Sequence, residues 1–134
     1  MKKLGIIAFS VMLAACASAP SWKGMSESEI AAWKDMGVTV EQVGAYVKAG
    51  LSHPQVQEWL TNGFTEQKSI LAWSGANFKP EQAASWRDVN FNLEDAMAWA
   101  AEKFTPADAK AWRDGGFELE DALDNREKGL QPVK

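Results

Sequence analysis

The chain has 134 residues, with 14 basic and 18 acidic side chains and a net charge of −4. An acidic chain without a basic patch or arginine run lacks the electrostatic footprint of a nucleic-acid binder, so we expect no nucleic-acid partner. The length suffices for one modest domain, and a single cysteine excludes an intramolecular disulfide.

Residues 1–15 have the parts of a secretory signal peptide. Lys2 and Lys3 give a positive start, an apolar run covers residues 4–13, and small residues follow. The run is too short to span a bilayer, which takes about 20 residues. We expect cleavage after residue 15, which leaves 12 basic and 18 acidic side chains and a net charge of −6.

The end of this signal, Leu13-Ala14-Ala15-Cys16, resembles the lipobox of bacterial lipoproteins. The resemblance implies that Cys16 becomes the first mature residue and carries fatty acyl chains, palmitate among them, that anchor it in the membrane. Ala17 is not the aspartate associated with inner-membrane retention, so the resemblance implies the outer membrane, with the domain facing the periplasm. The alternative is an ordinary signal peptide with a chance cysteine.

Residues 16–25 comprise the predicted lipidated cysteine and a short tether. The tether contains Ser, Pro and Gly, the composition of a flexible link. Trp22 is its one aromatic side chain, and we expect it to contact the membrane interface or a partner.

Residues 26–130 divide into eight units of about thirteen residues. Most units open with a good helix N-cap residue and close with Gly or Asn before an apolar residue, the start and stop signals of a short helix. The fourth unit is longer by one residue, which the sequence places near Ser74-Gly75. The opening residues are Ser26, Thr39, Ser52, Thr65, Lys79, Asn92, Thr105 and Glu118.

Seven of the eight predicted helices carry an aromatic residue that shares one face with an Ile, Val or Ala three positions earlier. A helix of about nine residues does not persist alone in water, so it must pack against neighbouring units. The pattern predicts an all-α fold, with tandem short helices and Gly/Asn turns coiled into a compact array. The aromatic positions are Trp33, Tyr46, Trp59, Trp73, Trp86, Trp99 and Trp112.

The eighth unit replaces the aromatic by Asn125 and is rich in charge, which suits a polar capping repeat before the tail at 131–134. The idealised pattern W-x3-G-F-x3-E/D-A-x2-W resembles the short tandem Trp/Gly-Phe helical repeats of uncharacterised bacterial proteins. The resemblance implies an all-helical repeat fold and no particular activity.

Catalytic chemistry has few candidates in this sequence. His53 is the only histidine, and its place in the first turn of the third unit predicts a solvated surface residue. The chain has no second histidine or further cysteine for a zinc site and no nucleophile-elbow motif. We therefore expect no enzyme activity, no cofactor and no bound metal.

Two acidic pairs, Glu94-Asp95 and Glu120-Asp121, are the kind of carboxylates that a glycosidase uses. Both pairs fall in the first turn of a predicted helix, where acids favour the positive end of the helix dipole. We expect helix capping rather than catalysis.

Residues 88–94 imitate the start of a calcium-binding loop. That loop needs glycine at the position of Leu93 and a bidentate glutamate at the position of Trp99, so we expect no calcium site.

We interpret the protein as a lipid-anchored structural or protein-interaction module without catalysis, with an unidentified protein partner. The alternative is a glycan-binding module for peptidoglycan, in which exposed tryptophans stack on sugar rings. Buried tryptophans would favour the first interpretation.

Overall fold

The computed structural model describes residues 19–132, so Cys16, the predicted signal peptide and residues 133–134 lie outside the described residues. Between residues 19 and 132 there are eight α-helices of nine residues each and no strand. The predicted all-α repeat array is confirmed. The helices are α1 (Glu27–Asp35), α2 (Val40–Lys48), α3 (His53–Thr61), α4 (Gln67–Gly75), α5 (Pro80–Asp88), α6 (Leu93–Ala101), α7 (Pro106–Asp114) and α8 (Leu119–Glu127).

The helix starts are capped by side chains at most units. In four helices the cap oxygen accepts a hydrogen bond from the amide three residues later, at 2.8 to 3.4 Å; the caps are Ser26, Thr39, Asn92 and Thr105. In four helices the cap amide donates to a side chain three residues later, at 2.9 to 3.1 Å; the acceptors are Glu29, Gln42, Gln55 and Gln82. In the first turn of α7 the Asp108 amide donates to the Thr105 hydroxyl oxygen, but the Asp108 side chain accepts no bond from the Thr105 amide.

The extra residue of the fourth unit lies before its helix, so the predicted position at Ser74-Gly75 is wrong. The N-cap of α4 is Glu66, and Thr65 belongs to the exposed link that precedes it. Counted from Glu66, Ile70 and Trp73 stand at the same distances as in the other units. Both side chains are buried, at 0% and 7% exposure. Burial of this face fixes the phase of the helix, and the link takes up the additional residue.

The helix ends share one backbone geometry. The first residue beyond each C-cap has a φ between 62° and 87°, and the next amide donates to the carbonyl five residues back. In the seventh unit, for example, Phe117 donates to Trp112 at 3.0 Å and Gly116 donates to Arg113 at 2.9 Å. This Schellman motif satisfies carbonyls that the helix end leaves unpaired. The predicted Gly/Asn stop is confirmed, and Lys103 adopts the same left-handed conformation.

The core runs the length of the array. All seven aromatic positions of the repeat are buried, at 2% to 7% exposure. The five Trp residues from Trp59 to Trp112 each meet the closing Phe of their own unit edge-on, with ring centroids 5.0 to 5.3 Å apart. Such edge-to-face pairs contribute about 0.5 to 1.5 kcal/mol beyond burial. In these five units the helix is therefore held to its own closing turn by an aromatic pair.

Alternate units contact each other as well as consecutive ones. Gln67 Nε2 donates to the Gln42 carbonyl at 2.7 Å, which joins the fourth unit to the second. His53 of the third unit meets the ring of Trp33 in the first, with centroids 6.1 Å apart. The third and fourth units thus each contact the unit two before them.

The array begins with a partly packed segment. Trp22 and Met25 are half-buried against the core, and Gly24 has a φ of 87°. Met25 precedes Val38 by one repeat length, so this Gly-Met step copies the closing turn of a unit. The Lys34 ammonium lies 5.7 Å from the centre of the Trp22 ring. None of the helices found between residues 19 and 132 has the length and apolar character that crossing a membrane requires.

Candidate interaction surface

His53 is half-buried rather than fully solvated as predicted, because its ring packs against Trp33. The pKa of Glu29 lies below its ordinary value, mainly because the Ser26 amide donates to the carboxylate, then because of the Ser26 hydroxyl and His53. The histidine is held in a packing contact between the first and third units.

The acidic pairs lie where the sequence placed them. Glu94 and Asp95 are in the first turn of α6, and Glu120 and Asp121 are in the first turn of α8. The Asp95 amide donates to the N-cap Asn92 at 2.8 Å. Their carboxylates therefore interact favourably with the positive N-terminal end of each helix dipole.

The segment that imitates a calcium loop is occupied by helix-end contacts. Asp88 pairs with Arg87 at 3.1 Å, Asn90 takes the left-handed stop with a φ of 62°, and Asn92 caps α6. Over residues 19–132, no group of three or more His, Cys, Asp and Glu side chains is placed to hold a metal ion.

The aromatic positions of the repeat offer no platform for a sugar ring, because all seven side chains are buried. Trp22 is the exception among the tryptophans. It is half-buried, and the Lys34 ammonium lies over its ring. The exposed surface of the array therefore consists mainly of helix edges, turns and the two ends.

Three arginines connect alternate units in a way that the sequence analysis missed. Each stands directly after the aromatic position of its unit and lies over the closing Phe of the unit two before. The Cζ atom is 4.6 Å from the ring centre for Arg87 on Phe64, 3.3 Å for Arg113 on Phe91 and 4.1 Å for Arg126 on Phe104. The available signal was the recurrence of Arg at that one position in the fifth, seventh and eighth units.

Two of these arginines also bind a helix end. Arg87 Nη1 donates to the Asn62 carbonyl at 2.9 Å, and Arg126 Nη1 donates to the Glu102 carbonyl at 2.8 Å. Both acceptors are C-cap residues of the helix two units before. Arginine suits this task because its planar guanidinium stacks on a ring while its edge donates hydrogen bonds.

Arg113 differs from the other two. Its Nη1 lies 3.9 Å from Asp95 Oδ2, and its buried Nη2 has no hydrogen-bond partner. At Arg87, by contrast, the absence of a side chain on Gly63 gives room, since a Cβ there would come within 3.2 Å of Nη1.

The closing Phe is more deeply buried in the units where an arginine lies over its ring. The three rings beneath an arginine are 3% to 6% exposed, whereas the two without one, Phe78 and Phe117, are half-buried. In the unit two after Phe78, the residue that follows the aromatic position is Ala100. None of the described units stands two after the unit of Phe117.

Open clefts lie between alternate units. One, of about 450 Å³, contains Arg87 beside Phe64 and Phe91. Another, of about 440 Å³, is the same cleft one unit earlier, with Ser74 at the position of Arg87 and Phe78 at that of Phe91.

Large apolar side chains are also exposed on this surface. Across residues 19–132 they are Val47 at 51%, Met97 at 48% and Leu130 at 51%. Leu130 closes the last unit, and Val47 stands in the second unit at the position that carries arginine elsewhere. Two of the three thus lie near the ends of the array.

No protein-family model matches the chain, and neither a curated protein nor a solved structure does.

Proposed function

We propose that this protein is a lipid-anchored, non-catalytic interaction module at the periplasmic face of the outer membrane. The proposed anchor is Cys16, and its support is the resemblance of residues 13–16 to a lipobox. Two or more acyl chains hold a protein firmly, because each buried methylene contributes about 0.8 kcal/mol. The lipid then provides the membrane attachment, and the repeat array provides the surface.

The observation that supports the interaction role is the burial of the aromatic residues of the repeat. All seven repeat positions are buried in the core, so the array presents a fixed surface of helix edges and turns. Short helices that share a buried core and end in the same hydrogen-bonded turn form a rigid scaffold, and a rigid surface loses little entropy on binding. A protein partner fits this surface best.

The absence of catalysis is part of the proposal. Its support is the placement of His53, whose ring packs on Trp33 beside Glu29. A general acid or base must instead reach a substrate atom directly or through one water.

The alternative is binding of peptidoglycan through tryptophan. Sugar recognition of this kind needs an exposed aromatic face, and burial leaves Trp22 as the one half-exposed tryptophan for it. Protein binding is therefore the better supported proposal.

Labelling of the anchor tests the membrane part of the proposal. Cells expressing the full chain are fed an alkyne analogue of palmitate, and the Cys16→Ser variant is the matched control. We expect label and outer-membrane fractionation for the parent, and neither for the variant. Equal labelling of the two chains would contradict lipidation at Cys16.

Tryptophan fluorescence tests the interaction part against the glycan alternative. The mature chain with Cys16→Ser is titrated with acrylamide, with and without purified peptidoglycan fragments. We expect blue-shifted emission that acrylamide quenches weakly and that the glycan leaves unchanged. Protection by the glycan would favour the alternative, and crosslinking in cells then shows whether any protein partner is bound.

A further inference from the structure

The contact between alternate units recurs at one position. In three units the residue after the aromatic position is an arginine that lies over the closing Phe of the unit two before. The pairs are Arg87 on Phe64, Arg113 on Phe91 and Arg126 on Phe104. Two of the three also donate to the C-cap carbonyl of that earlier unit.

The C-terminal end of the array has both parts of this contact without their partner. Phe117 and Leu130 close the seventh and eighth units; Phe117 is half-buried and Leu130 is 51% exposed. The C-cap of α7 is Gly115, and no hydrogen bond from the described residues reaches its carbonyl. A ring and a carbonyl are thus presented together, as they are beneath Arg87 and Arg126.

The charge of this end selects the kind of partner. Residues 105–132 carry seven acidic and four basic side chains, a net charge of −3. An acidic surface attracts a basic segment and disfavours an acidic one.

We propose that the C-terminal end of the eight described units docks an arginine-bearing helical segment of a basic partner protein, in the position that a ninth and tenth unit would take. The guanidinium stacks on Phe117 and donates to the Gly115 carbonyl, while an apolar side chain of the partner covers Leu130. This inference rests on the proposed interaction function and names the class of its partner.

A second copy of this chain fits less well. The positions that would meet Phe117 and Leu130 are Lys34 and Val47, and Lys34 already lies over Trp22. The first unit is therefore occupied by its own N-terminal segment.

The test uses a synthetic helix with the sequence of residues 79–91, which carries Arg87 at the required position. A hydrocarbon staple joins positions 81 and 85, and D88K removes the acid beside the arginine and makes the peptide basic. The control peptide has the further change R87K, which keeps the charge and removes the guanidinium. Binding of each labelled peptide to the mature chain with Cys16→Ser is measured by fluorescence anisotropy.

We expect saturable binding of the arginine peptide, and binding about tenfold weaker for the lysine peptide. Phe117→Leu keeps an apolar side chain and should weaken the arginine peptide by a similar factor, with circular dichroism as the check on folding. Met97→Ala, at an exposed apolar site elsewhere, should leave binding unchanged.

Absence of saturable binding, equal affinity for the two peptides, or no effect of Phe117→Leu would each overturn the docking site. Sedimentation that shows the chain pairing with itself through Leu130 would overturn it too. Palmitate labelling and a partner crosslinked at another face would then leave the proposed function standing, so the two failures are distinguishable.

Discussion

At the scale of single residues, the stop of each helix is the most demanding position. It needs a positive φ, which costs an ordinary L-residue about 1 to 2 kcal/mol and glycine almost nothing. The stop residue is glycine or asparagine in seven units and Lys103 in the sixth, where φ is 65°. The fold tolerates lysine there because the Schellman bonds of that unit form as in the others.

Lys103→Gly should stabilise the protein. The side chain is exposed, and the change relieves left-handed strain at the expense of a more flexible unfolded chain, for a net gain of about 0.5 to 1 kcal/mol. Urea unfolding followed by circular dichroism measures it. Lys103→Ala is the control that keeps the strain, and an equal gain from both variants would refute this account.

Gly116→Val should destabilise the protein by about 1 kcal/mol or more, through the backbone alone. Gly116 has a φ of 86°, and a Cβ there would meet no atom within 4 Å. Gly44→Ala is the matched change in α2, where a Cβ also has open space and φ is not in the left-handed range. That variant should gain about 0.5 to 1 kcal/mol. A melting temperature unchanged by Gly116→Val would contradict the strain argument.

The stabilisation that Glu29 gives to the start of α1 depends on pH. The pKa of its carboxyl group is lowered from the ordinary value of 4.5, first by the hydrogen bond from the Ser26 amide. A lowered folded pKa means that the charged carboxylate stabilises the fold above pH 4.5, and that this stabilisation is lost as the pH falls through the folded pKa. Glu29→Gln keeps an acceptor and removes the titration, so its urea midpoint should fall less than the parent's between neutral pH and about pH 3. An identical fall in both would show that Glu29 contributes nothing to acid sensitivity.

At the scale of the element, a nine-residue helix is too short to be stable by itself. Each one ends in a Schellman stop, most are capped by a side chain at the start, and five units add an edge-on Trp–Phe pair. These contacts are local in sequence, so none of them requires a distant unit. The helix then exposes one apolar face, on which the next units pack.

Trp86→Ala should test the importance of that face. Trp86 is 3% exposed, and its ring centre lies 5.1 Å from that of Phe91. Loss of a buried Trp costs about 3 to 5 kcal/mol because a cavity remains. Met97→Ala, at 48% exposure, should change the free energy of unfolding by less than about 1 kcal/mol. A Trp86 variant as stable as the parent would mean that its ring is not part of the core.

At the scale of the whole molecule, contacts between alternate units turn a string of short helices into one body. Arg87, Arg113 and Arg126 each cover the closing ring two units earlier. Stability in such an array is a sum of unit and neighbour terms, and here the neighbour terms extend to the second unit along the chain.

Arg87→Met should weaken this coupling. Methionine retains the apolar stem but loses the contact with the Phe64 ring and the hydrogen bond to the Asn62 carbonyl. The expected cost is about 1 to 2 kcal/mol in urea unfolding. Lys110→Met breaks only the exposed pair with Asp114 and should change stability by less than about 0.5 kcal/mol. Equal effects of the two variants would show that Arg87 is an ordinary surface residue.

The sequence alone determined the helical repeat, the caps and the stops. These features depend on contacts within thirteen residues. Gly116 and Phe117, for example, end α7 through hydrogen bonds within their own unit. The sequence also favoured a core position for the repeat tryptophans, since each shares a helix face with a small or branched apolar residue, and their burial in the structure decided it.

The tertiary structure decided the rest. The phase of α4 was set by burial of Ile70 and Trp73, which moved the extra residue to the link before Glu66. The role of the arginines required the unit two before, about 25 residues away in sequence, and no local propensity encodes that distance. The half-buried Phe117 ring and the Gly115 carbonyl, which is unpaired among the described residues, became recognisable as one feature only by comparison with the helix ends that an arginine covers.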